Sequence, residues 1–179
     1  MSFSVLDYVK DNYPKANLDI IKKSYFKRAK LIKNSLLEPG AVEFLNFLRS
    51  SERDFCIMSY GEKSWQKLKI ISTGIDDGPI LIVSSHKKGS LIANWYDAPS
   101  RKYHIPKECF LDNKPRTANE IVLIDDKIGA FDNLPDNARG YLVAGLTNRA
   151  KLVRQVPSRF KQVVHVDEII AFEIQHFTK

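Results

Sequence analysis

From residue 54 onward the chain alternates between short apolar runs and segments whose apolar residues recur at helical spacing. The runs are Asp54-Phe-Cys-Ile-Met-Ser59, Pro79-Ile-Leu-Ile-Val-Ser84, Glu120-Ile-Val-Leu-Ile-Asp125, Gly140-Tyr-Leu-Val-Ala144 and Gln162-Val-Val-His-Val166. Bounded by turn residues and rich in β-branched side chains, each predicts a short buried strand. Between them Trp65, Leu68 and Ile71 share a face of a helix expected over 63–73, with Gly74 as its stop. Further helices are expected over 90–97 and 148–155, with a short helical turn over 126–133. A last helix starts after Asp167, a good N-cap with Glu168 behind it. Residues 98–118 hold Pro99, Pro106 and Pro115 and read as mixed, with an extended Tyr103-His-Ile between them.

The first third has a different pattern, helical throughout. Ser4 can cap a helix over 4–11 that puts Val5, Leu6 and Val9 on one face, and Pro14 ends it. A second helix starts at Asn17 or Asp19 and runs through Ile20, Ile21, Tyr25, Phe26, Ala29, Leu31 and Ile32. Its polar face is basic: Lys22, Lys23, Lys27, Arg28, Lys30 and Lys33. Pro39 suits the start of a third helix, with Val42, Phe44, Leu45, Phe47 and Leu48 inward. No internal repeat is visible. Strand–helix alternation after residue 54 predicts an α/β fold around a parallel sheet. Ligands of such sheets bind at the carboxyl ends of the strands, which points to residues 59–61, 86–89 and 125–126.

Composition narrows the picture. The chain has 179 residues, 44% hydrophobic and 27% charged, which suits one domain with a real core and excludes overall disorder. The net charge is +7 with a pI near 9.3, so an acidic partner, nucleic acid or an acidic substrate enters the reading. Much of that excess is local: Lys10, Lys15, Lys22, Lys23, Lys27, Arg28, Lys30 and Lys33 face only Asp11 and Asp19. Cys56 and Cys109 lack zinc-ligand spacing and read as buried thiols in a reducing compartment. No signal peptide and no membrane-length apolar run is seen, so a soluble, cytoplasmic protein without a membrane partner is expected.

Three strand ends carry candidate chemistry. Adjacent carboxylates at Asp125-Asp126 are costly unless a cation lies between them, and Mg²⁺ takes such oxygens; an acidic cap on the following turn reads equally well. Ser59-Tyr60-Gly61 offers a hydroxyl and backbone N–H groups at a helix start, able to hold phosphate or simply to cap and turn. Lys88-Gly89 adds a cation, with Lys87 as its rival. His86 beside them reads as a surface residue. His104, His165 and His176 form no metal spacing, Trp65 and Trp95 read as packing, and Arg149, Lys151 and Arg154 as a solvated helix face.

Taken in order, hydroxyl, lysine and paired aspartates after successive strands resemble motifs two, three and four of the haloacid-dehalogenase-like (HAD) superfamily. Residues 37–48 resemble the helix before motif two, Ile57-Met-Ser-Tyr-Gly61 motif two, Ile121-Val-Leu-Ile-Asp-Asp-Lys127 motif four, and Gly140-Tyr-Leu-Val143 the strand after it. The resemblance covers residues 37 to about 170. It implies a Rossmann-like parallel sheet flanked by helices over 38–179, with a small N-terminal helical cap over 1–37. It implies a Mg²⁺-dependent phosphatase acting on a small phosphate ester. Ser59 would hold the phosphoryl group with Tyr60, Gly61 and Lys88, and Asp125 and Asp126 would hold the metal, with Asp132 a weaker candidate. The family's nucleophile motif, Asp-x-Asp-x-Thr on a first strand, has no counterpart here. Asp7 can be forced onto the nucleophile, but Val9 then stands where the acid/base aspartate belongs. The alternative is a cap-first chain that lacks this strand, inactive or a fragment, with its sheet edges left open. A non-catalytic HAD-like domain that binds an acidic partner or nucleic acid through the basic helix is the competing expectation. Substrate identity and oligomeric state are not readable from the sequence.

Overall fold

The computed structural model describes residues 5–32, 36–75, 78–144 and 160–177. Helices α1 (Val5–Asn12) and α2 (Leu18–Leu31) form a hairpin that buries Leu6 and Ala29. The Asn17 side chain accepts from the N–H groups of Asp19 and Ile20 at 3.0 and 3.2 Å, using two orphan donors of α2 as expected of an N-cap. Helix α3 (Ala41–Ser50) follows Gly40, whose φ of +80° glycine alone adopts without strain; a Cβ there would also run into Asp167. Strand β1 (Ile57–Tyr60) leads to α4 (Lys63–Ser72), and α2 rests on α4 with the Tyr25 and Trp65 rings 5.1 Å apart. Ser4 and the helix expected over 148–155, with Arg149, Lys151 and Arg154, lie outside the described residues.

The fold is mixed α/β with parallel strand pairs, but the described strands fall into three small sheets, not one continuous Rossmann-like sheet. Strand β2 (Ile80–Val83) pairs in parallel with β1 alone. After α5 (Lys88–Ala93), strands β3 (Tyr96–Asp97), β4 (Lys102–Ile105) and β5 (Arg116–Ala118) form an antiparallel sheet. Strands β6 (Val122–Asp125), β7 (Arg139–Val143) and β8 (Phe160–Val163) form a parallel one, before helix α6 (Glu168–Phe177). No described strand pairs with the second edges of β1 and β6. Accordingly every residue of β1 is only half-buried, whereas β7, paired on both sides, is buried from Gly140 to Val143.

The β6–β8 sheet organises the core by alternation along β7. Leu142 points into a cluster with Leu123, Phe131, Phe160, Ile92 and Tyr103. Tyr141 and Val143 point to the other side, against Phe44 of α3 and Ile169 of α6. Both faces are thus covered at β6 and β7, which is why these two parallel strands read as continuous apolar runs, whereas β8 leaves Lys161 and Gln162 exposed. The helix expected over 90–97 starts at Lys88 and stops at Ala93. Tyr96 and Asp97 leave it to pair with Tyr103 and Lys102, and the Asp97 carboxylate holds the intervening turn by accepting from the Ser100 N–H at 3.2 Å.

Candidate functional site

The carboxyl ends of β1, β2 and β6 carry the residues singled out from the sequence, and the structure joins some of them directly. Lys88, the first residue of α5, extends its ammonium to Asp125 Oδ2 at 2.6 Å, closing the gap between two separate sheets. The pair is well shielded, with side chains 15% and 6% exposed. Asp125 Oδ1 accepts from the Lys127 N–H at 2.9 Å, so both carboxylate oxygens are engaged. Lys87 turns away to Asp132 at 3.5 Å on the surface, which separates the two lysines the sequence left as rivals. Asp126 is exposed.

Gly89 is what lets Lys88 come so close. A Cβ at this position would lie 2.7 Å from the Asp132 carbonyl oxygen and 2.9 Å from the Leu134 nitrogen. Helix α5 therefore sits backbone to backbone on the turn that follows β6.

Around Ser59 the arrangement departs from the sequence expectation. Its hydroxyl donates to Gln66 Oε1 of α4 at 3.0 Å. The first free N–H groups of α4 are also spent: the Glu62 carboxylate caps the helix, accepting from Ser64 at 2.9 Å and Trp65 at 2.7 Å. The Ser64 N–H holds the Glu62 carboxyl below its ordinary value. A phosphate at this helix start would have to displace an anion already there. Tyr60 packs its ring edge-on to His86, 5.9 Å between centroids, and Gly61 adopts φ 137° at the turn into α4. Gln66 and Glu62 were missed as site residues. With a helix start at Lys63, the preference of acids for the cap position was the available signal for Glu62.

The surroundings are cationic. Lys69 of α4 has its ammonium held below the ordinary value by burial and by the neighbouring charge of Lys127. Lys69 and Lys127 thus lie near enough for their charges to repel, the latter two residues after Asp125.

Whether these residues suit Mg²⁺ can be judged from their donors. The metal would have to take the place of the Lys88 ammonium on Asp125, and among the described residues no group of three His, Cys, Asp or Glu side chains is arranged to hold an ion. In this arrangement the residues do not fit a protein-held Mg²⁺. Asp7 stands exposed on helix α1, whose packing is against α2, and is not on a strand. Among the described strands only β3 and β6 carry a carboxylate, and that of β3, Asp97, is engaged with Ser100. The chain matches no protein-family model and no curated protein.

Proposed function

We propose that this chain is a HAD-like domain that binds a small phosphorylated molecule at the carboxyl ends of β1, β2 and β6. One observation carries the reading: Lys88 and Asp125 meet in a shielded pair that bridges two sheets at the edge where α/β folds bind ligands. Lys127, two residues after Asp125, and Lys69, which feels its charge, add cations in this region that an incoming phosphoryl group would meet. Ser59 would join the ligand by releasing Gln66. The phosphatase chemistry implied by the family resemblance needs a strand-borne carboxylate opposite Asp125, which the described strands do not supply. The expected behaviour is therefore binding without turnover.

Melting curves in millimolar inorganic phosphate test this. Phosphate is expected to raise the melting temperature of the chain by mass action and to lose that effect in Lys88→Met. An unchanged melting temperature in phosphate would sink the proposal. Turnover of p-nitrophenyl phosphate that requires Mg²⁺ and vanishes in Asp125→Asn would establish the phosphatase instead.

A second reading rests on a different surface. Lys23, Lys27, Arg28 and Lys30 of α2 are all exposed, together with Ile20 and Leu31, while at the side of this helix Lys22 lies 3.9 Å from Asp19 and feels the charge of Glu62. This face fits a polyanion such as nucleic acid, whose binding weakens steeply with salt. Retention on a heparin column that falls with salt and drops on replacing these four residues by glutamine is expected. Free passage at low salt would remove the reading.

A further inference from the structure

A cleft of about 260 Å³ opens at the amino ends of β1 and β2, the edge opposite Ser59 and Lys88. Three segments meet there. Asp54 and Phe55 lead into β1, Pro79 leads into β2, and a third stretch runs from Cys109 to Arg116, the first residue of β5. The inner surface is largely apolar, made by Phe55, Pro79, Cys109 and Phe110. Leu111, also in the lining, is left 74% exposed.

The fold holds each of these walls in place. The Phe55 ring lies across the backbone of Gly78, where a Cβ would come within 2.7 Å of it. The Pro79 carbonyl accepts from the Ile57 N–H at 2.9 Å. Phe110 is buried, and the Arg116 guanidinium lies over its ring, 4.5 Å from the centroid. Arg116 is in turn bonded to the Asp54 and Asp112 carboxylates. A ligand entering such a cleft has little to reorganise, and pre-organised walls keep the ordering cost of binding low.

We propose that this cleft binds a compact, uncharged aromatic molecule of one or two fused rings. Size, shape and charge each point there. Drug-sized ligands occupy pockets of about 300 Å³ and above, so this one suits a smaller molecule. The Phe55 and Phe110 rings and the Arg116 guanidinium are flat surfaces, on which another ring packs in offset or edge-on contact. The charged side chains of the lining already have partners in the protein. Arg116 serves Asp54 and Asp112, while Arg53 bonds Glu173 at 3.0 Å and lies over the Phe47 ring. A charged ligand would compete with these pairs. An uncharged ring covers Phe55, Phe110 and the exposed Leu111 and leaves the pairs intact. A ring N–H can still donate to Asp54 or Asp112, since a carboxylate offers about four lone-pair sites.

A ring held there touches the β1–β2 sheet and the segment leading to β5 at once, two units with no strand pairing between them. Binding therefore stabilises the folded chain by mass action.

Indole titrated into the full chain, followed through the amide chemical shifts, provides the test. Saturable shifts are expected at Phe55, Phe110, Leu111 and Asp112, with a raised melting temperature, while Ser59, Lys88 and Asp125 keep theirs. Leu111→Ala alters an exposed side chain and should fold as the wild type does. It is expected to weaken indole about fourfold to tenfold, the loss that goes with half of a leucine's burial. Benzoate and benzylamine, single rings of opposite charge, should both bind more weakly than indole. The proposal would be overturned by the absence of saturable shifts up to millimolar indole, or by shifts scattered over the surface or centred on Lys88 and Asp125. Tighter binding of either charged ring, or an unchanged affinity in Leu111→Ala, would overturn it as well. The wild-type titration decides even if the variant fails to fold.

Discussion

At Gly89 the absence of a single carbon places a whole helix. The backbone of α5 touches the Asp132 carbonyl and the Leu134 nitrogen, and Lys88, one residue earlier, reaches Asp125 because of it. Gly89→Ala is expected to force this contact apart and to destabilise the fold by about 1–3 kcal/mol, as overpacking against backbone does. It should also weaken any phosphate-induced rise in melting temperature, since Lys88 moves with the helix. Urea denaturation with and without phosphate checks both. Lys88-Gly89 was visible in the sequence as a pair after a strand. Nothing in periodicity could tell Lys88 from Lys87, because the choice depends on how α5 seats on a turn some forty residues away. Cys56 and Cys109 show the same limit: each apolar neighbourhood predicted burial, but only Cys109 is buried and Cys56 is half-buried.

Among the elements, α4 owes its start to an anion of the protein's own. Glu62 is half-buried, and its folded value is lowered from an ordinary 4.5. The stability it lends is complete above that ordinary value and is lost as pH falls through the lower folded value. Glu62→Gln is thus expected to melt below the wild type at pH 6–7, with the difference shrinking as pH drops below 4.5. A difference constant from pH 7 to 3 would contradict the capping role. Helix α6 is tied down in another way. Its Glu173, 4% exposed at the side chain, accepts from Arg53 Nη1 at 3.0 Å, Arg139 Nη1 at 2.6 Å and the Tyr141 hydroxyl at 2.8 Å. Arg139 is shared with Glu120, and the paired Tyr141 hydroxyl is pushed up by burial and by its bond to Glu173. A buried carboxylate with three donors is satisfied, and removing it would take this acceptor from Arg53 and the Tyr141 hydroxyl, while Arg139 would keep Glu120. In sequence it is one acid in an apolar helix, and its partners come from two distant segments, the loop after α3 and strand β7. Of strands β3–β5, β4 was foreshadowed by the extended Tyr103-His-Ile, whereas β3 and β5 were illegible for the opposite reason. The three strands run two to four residues each, are separated by segments holding Pro99, Pro106 and Pro115, and exist through local antiparallel pairing and not through an apolar run. Strands β6 and β7 were readable because burial on both faces leaves a continuous apolar signature, whereas β8, expected over 162–166, lies at Phe160–Val163 with Lys161 and Gln162 exposed.

For the molecule as a whole, the expected α/β alternation and the helical N-terminal segment are present, while a single sheet is not. Three sheets are held together by side chains: the Lys88–Asp125 pair, the Arg116 guanidinium bonded to the Asp54 and Asp112 carboxylates, and the cluster in which Met58 reaches toward Leu123 and Tyr103. The positive charge divides by region. Around α2 it lies open on the surface, and beside Asp125 it is folded inward, so salt should act strongly on the first and weakly on the second.

Strand β7, bonded to a neighbour on each side and buried on both faces, contrasts with the two-stranded β1–β2 unit, each strand of which has one partner. A two-stranded sheet is marginal without covering elements, and here α4 and the 3-10 turn Lys107–Cys109 pack on β2. Amide hydrogens should therefore exchange with deuterium in two tiers. Those of Tyr141 to Val143 should be released only by global opening, and those of Ile57 to Tyr60 by a smaller, local one. Equal protection of both strands at every temperature would show that the three sheets open as one.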